Sequence, residues 1–140
     1  MMLNTIKYQS FLLLILPFLM ITGPFLPDLA LTIICLLFIS QKIIDKDIDI
    51  RKLDIFGKIF FTWCIYLIIR SLLSVDPYLS LENSLFFFRF GIFAYAVKFI
   101  IINNTNFIKN FFIVLSASII FVIIDGYTQY FIGKNFFGYN

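Results

Sequence analysis

The chain has 140 residues, 61% of them hydrophobic, and a mean hydropathy of +0.99. Soluble domains carry about 45–50% apolar residues, so a water-soluble globular domain is excluded. The net charge of +3 comes with no basic stripe interleaved with aromatics, which excludes nucleic acid as a partner. Histidine is absent, which removes the commonest general base and metal ligand, and the sequence calls for no cofactor or metal.

A helix needs about 20 apolar residues to cross roughly 30 Å of hydrocarbon. The apolar stretch from Phe11 to Ile39 is too long for one such helix. It is interrupted by Gly23-Pro24-Phe25-Leu26-Pro27-Asp28, where proline removes a backbone donor and disfavours helix in the residue before it. Two spans joined by a tight turn are expected, at 6–23 and 27–44, with a shallow re-entrant hairpin as the alternative. Lys7 ahead of an apolar run resembles a signal peptide, but Thr22-Gly23-Pro24 offers no small-residue cleavage site. The segment is therefore expected to stay as a membrane anchor.

Residues 41–58 alternate Lys42, Lys46, Arg51, Lys52 and Lys58 with Asp45, Asp47, Asp49 and Asp54, the pattern of a solvated surface segment. A third span is expected at 56–73 with Arg70 near its end, then a turn at Ser74-Val75-Asp76-Pro77-Tyr78. A fourth follows at 81–102, a polar turn at Asn103-Asn104-Thr105-Asn106, and a fifth at 111–132. The fold class is thus an all-α polytopic membrane protein of about five transmembrane helices in one region, 1–140. Cys35 and Cys64 each lie inside an apolar segment and read as small buried hydrophobes. Asn103-Asn104-Thr105 matches a glycosylation sequon by chance, on the side expected to be cytoplasmic.

Orientation follows from Lys and Arg. Lys7, the five basic residues of 41–58, Lys98 and Lys109 fall on one side, eight in all, against Arg70 and Lys134 on the other. The N-terminus is then cytoplasmic and the C-terminus outside, periplasmic in a bacterium.

Two ionisable residues lie within spans, Arg89 in the fourth and Asp125 in the fifth, and such residues mark sites by default. At 1.5 Å per residue Arg89 is about 8–12 Å in from the outer end, Asp125 about 10 Å and Arg70 about 5–8 Å. Gln129, four residues after Asp125, shares its helix face. Two readings stay open and are compatible. One is an interhelical ion pair of Arg89 with Asp125. The other is an anionic headgroup site at Arg70 and Arg89, since the guanidinium fork matches phosphate oxygens two at a time, with Asp125 and Gln129 in an orienting role. Asp76 and Glu82 could do acid–base work, but Asp before Pro is a common turn opener, and a solvated turn is the expectation.

The residues also resemble a known family. The Pro-rich hairpin turn Gly23-Pro24-Phe25-Leu26-Pro27 and the turn Ser74-Val75-Asp76-Pro77 leading to Arg89 are similar to the N-terminal portion of bacterial O-antigen ligases and polymerases. So, most specifically, is the segment from Asp125-Gly126-Tyr127-Thr128-Gln129 to Gly133 and Gly138. The resemblance implies transfer of a saccharide from an undecaprenyl diphosphate carrier to lipid A-core or a growing polysaccharide, on the outer face of the bacterial inner membrane. It implies as partners the membrane lipid, the undecaprenyl diphosphate-linked glycan and the remainder of the chain's own full-length protein. The family's catalytic histidine comes from a later periplasmic loop, so no catalytic residue is expected here and the chain alone should transfer no sugar. The alternative is a non-catalytic membrane protein, a transporter subunit or a helix-bundle scaffold.

Overall fold

A computed structural model describes residues 2–45 and 54–133. Among the described residues the chain is helical throughout, with no strand. Helix α1 spans Met2–Leu19, α2 Phe25–Ile44, α3 Ile55–Leu72, α4 Pro77–Phe86, α5 Phe88–Asn103 and α6 Phe107–Ile132. Five segments are long and apolar enough to cross a membrane: Thr5–Thr22, Phe25–Ile44, Ile55–Leu72, Pro77–Asn103 and Phe107–Ile132. This is the architecture of a multi-pass membrane protein, with the five spans the sequence predicts.

The helix ends follow local chemistry. Pro17 lies inside α1, and the chain tightens into a 3-10 turn at Met20–Thr22. Gly23 then takes φ +115°, a conformation that residues with a Cβ rarely adopt. Helix α2 starts two residues earlier than expected, because Pro27 falls in its first turn, where the backbone N–H groups have no helical partner anyway. Asp54 caps α3 by accepting the Gly57 N–H at 3.1 Å. Pro77 occupies the first turn of α4. Gly133, at φ +77°, closes α6 and donates its N–H to Gln129 O at 2.9 Å.

The fourth span is longer than expected and irregular. At 27 residues it would measure about 40 Å as one straight helix, more than the hydrocarbon thickness. It breaks into α4 and α5 at Phe87, where Phe87 N–H and Phe90 N–H bond three residues back, to Ser84 O and Phe87 O, both at 3.2 Å. The Ser84 hydroxyl donates to Ser80 O at 2.8 Å, a back-bond that bends helices.

Helix α1 packs against α2 and α6, α2 against α5, and α3 against α4 and α5. The core is a cluster of Leu13, Ile34, Ala96, Ile100 and Phe107, from α1, α2, α5 and α6. Most remaining apolar side chains face outward, among them Phe56, Ile65, Ile119 and Tyr130. Hydrocarbon tolerates such a surface and water does not. One close approach sets the α3–α5 spacing. A Cβ on Gly91 would collide with the Phe60 ring, which stacks between Phe56 and Phe87.

Candidate functional site

Arg89 stands just past the α4–α5 break. Its Nη2 lies 2.6 Å from Asp28 Oδ1 and its Nη1 3.0 Å from Asp28 Oδ2, a bidentate pair joining α5 to the first turn of α2. The expected partner, Asp125, is corrected by this geometry. Helix α6 lies chiefly along α1, where Phe18 and Phe121 approach to 6.0 Å, whereas α5 lies along α2. Similar depth therefore did not make Arg89 and Asp125 partners. Asp28 also lies at the N-terminus of its helix, where the backbone N–H groups favour a carboxylate.

A second contact repeats the α2–α5 attachment. The Cys35 thiol, seven residues after Asp28 and on the same face of α2, donates to Arg89 O at 3.4 Å. Cys35 and Cys64 are both buried free thiols. The Arg89 guanidinium lies 5.3 Å from the Phe90 ring centroid, and its Nε is buried without a hydrogen-bond partner among the described residues. Arg89 lines an open cleft of about 390 Å³ together with Glu82, Asn83, Phe86, Phe87 and Phe90. Two of the five guanidinium N–H donors serve Asp28, which leaves others able to meet an acceptor in the cleft.

The other expected site residues are more dispersed. Arg70 is exposed at the end of α3, in no ion pair among the described residues. Asp125 is half-buried on α6, and Gln129 is exposed one turn further on. Asp76 and Glu82 are exposed, and Glu82 reaches the Arg89 cleft.

Sequence reasoning passed over the serines that close the α3–α4 hairpin. Ser71 Oγ and Ser84 Oγ share a hydrogen bond, and Ser74 Oγ donates to Ser80 Oγ at 2.9 Å. Their signal was available in the spacing, since Ser80 and Ser84 stand one helical turn apart. Further along α5, Asp54 accepts from the Tyr95 hydroxyl, and Lys98 Nζ lies 3.0 Å from its Oδ2. The Tyr95 hydrogen bond, then Lys98 and the Gly57 N–H, hold the Asp54 carboxyl down at about 2. These donors bond the ionised form and so favour it.

No protein family, curated protein or solved structure matches this chain.

Proposed function

We propose that this chain is the N-terminal membrane part of an O-antigen ligase-like glycosyltransferase, and that it contributes a carrier-binding wall to the site. The carrier is an undecaprenyl diphosphate-linked glycan, and the acceptor is lipid A-core or a growing polysaccharide. Beyond the resemblance of residues 125–138, one observation carries the reading. An arginine held in position by Asp28 lines an open cleft next to a helix break. Arg70, at the matching end of α3, adds positive charge with no carboxylate paired to it among the described residues. Phosphate oxygens suit such donors. The reading requires the outer ends of α3 and α5 to face the periplasm, with the N-terminus cytoplasmic, as the eight-to-two bias of Lys and Arg supports. The membrane is then the bacterial inner membrane.

A helix-bundle scaffold is the second reading, favoured by the bidentate character of the Arg89–Asp28 pair itself. Binding of a polyprenyl diphosphate to the protein in nanodiscs separates the two. If Arg89 serves the carrier, Arg89→Ala weakens binding at least about tenfold, or about 1.4 kcal/mol, and Asp28→Asn, which keeps the guanidinium but no longer positions it, weakens binding by less than that. If the pair is only a lock, both variants lose stability and neither changes binding. That result would end the carrier reading.

A further inference from the structure

The least satisfied polar groups in this bundle lie outside the Arg89 cleft. Gln9 is 0% exposed, Ser10 5% and Gln41 4%. Both side-chain polar atoms of Gln9, both of Gln41 and the Ser10 hydroxyl have no hydrogen-bond partner among the described residues. Five unpaired groups in one apolar bundle would cost an amount comparable with the whole stability of an ordinary domain.

The three residues lie at similar heights on two neighbouring helices. Gln9 and Ser10 are on α1 and Gln41 is on α2, neighbours joined by the Gly23 turn. Gln9 is 14 residues before that glycine and Gln41 is 18 after it. In antiparallel helices the difference is about 6 Å of height, within the reach of two glutamine side chains. Gln9 stands one turn from Leu13 and Gln41 two turns from Ile34, both on the side away from the hairpin. The set thus borders the dry cluster. Its other side is near an aqueous end, since Asp45 at the close of α2 is one turn from Gln41.

We propose that Gln9, Ser10 and Gln41 form an internal hydration site in which bound water bridges α1 and α2. Water suits this set because each carboxamide offers both donors and an acceptor and the hydroxyl offers one of each. Buried waters make about three hydrogen bonds to groups of this kind. A metal cation would use the oxygens alone and leave the amide donors unmet, and these three side chains bring no carboxylate to neutralise it. A partner chain cannot reach side chains this deeply buried.

The chain contains three glutamines, Gln9, Gln41 and Gln129, and the side-chain amides of the first two report on the question. The whole chain, isotope-labelled in nanodiscs, is measured by magnetisation transfer from water, with signals assigned through backbone connectivity. The exposed Asn106 side chain, in the α5–α6 turn, is the wet reference, and the backbone N–H of Ile34, 0% exposed, is the dry one. The Gln9 and Gln41 amides should receive water magnetisation at a rate near that of Asn106, and about fivefold or more faster than Ile34, because bound water sits at hydrogen-bond distance. Transfer at the Ile34 rate would overturn the proposal in favour of direct carboxamide contact. A second arm exchanges sodium for choline. Shifts of the Gln9 and Gln41 signals would overturn the water assignment in favour of a cation site, and unchanged positions support it.

Discussion

Removing the Asp28 carboxylate should destabilise the bundle more than the position of Asp28 in a turn-proximal helix end suggests. Exposed ion pairs contribute about 0–1 kcal/mol, whereas breaking a fully buried one costs about 3–5 kcal/mol. With the Arg89 side chain 28% exposed and Asp28 49%, this pair lies between, and Asp28→Ala is expected to cost about 1–3 kcal/mol. The loss arises because Arg89 keeps its charge and cannot withdraw: Cys35 holds its backbone carbonyl and Phe90 lies against its guanidinium. Removing Arg89 instead leaves a half-exposed carboxylate at a helix N-terminus, which water and the backbone N–H groups can satisfy. The two single variants and the double variant, unfolded reversibly in mixed micelles by rising denaturing detergent, give the coupling directly. A coupling of about 1–2 kcal/mol is expected for Asp28 with Arg89, and under about 0.5 kcal/mol for Asp125 with Arg89. Arg89→Lys should retain less than half of the Asp28 coupling, because an ammonium cannot form the two parallel bonds. Additive Asp28 and Arg89 effects, with strong Asp125–Arg89 coupling, would refute the pairing.

Gly91→Ala should destabilise by about 1–3 kcal/mol, the cost of overpacking, since Phe60 is wedged between two other rings. Gly126→Ala, with nothing within 4 Å of its added carbon, should be neutral or stabilising by up to about 1 kcal/mol. The same unfolding assay compares them, and equal losses would discredit the close α3–α5 contact. Asp54, held at about 2 against an ordinary 3.8, contributes stability that is present above pH 3.8 and lost as pH falls through about 2. Asp54→Asn should remove that dependence in unfolding measured from pH 5 to pH 2, and an unchanged acid profile would show that the Tyr95–Lys98 clamp has no energetic weight. For topology, a cytoplasm-active reporter fused after Asp45 should work and one fused after Gly133 should fail, and the reverse would overturn the assigned orientation.

The spans were legible because crossing a bilayer requires only length and apolarity, and Gly23, Pro24, Pro77 and Asn104 mark where the chain must turn. The order in which the helices pack was not legible, because these helices are apolar nearly all round and no amphipathic face says which neighbour each one meets. Depth along the membrane placed Arg89, Arg70 and Asp125 at comparable heights, and Asp28, read only as part of the hairpin turn, was not weighed as a partner for Arg89. The choice fell to packing, which put α2 beside α5 and α1 between α2 and α6. The same packing explains a feature that no single residue announced. Helix α5 is tied to α2 at its start through Arg89 and Asp28, and to the start of α3 further along through Tyr95, Lys98 and Asp54. Between those attachments Gly91 admits α3 at close range, while Ala96 and Ile100 are fully buried in the shared cluster. Charge at two levels of an apolar helix therefore fixes its register against two different neighbours. That leaves the Arg89 cleft facing away from the core, on the side where α4 breaks from α5. A ligand there would meet a guanidinium whose position is already set by α2, so binding would not first have to order it.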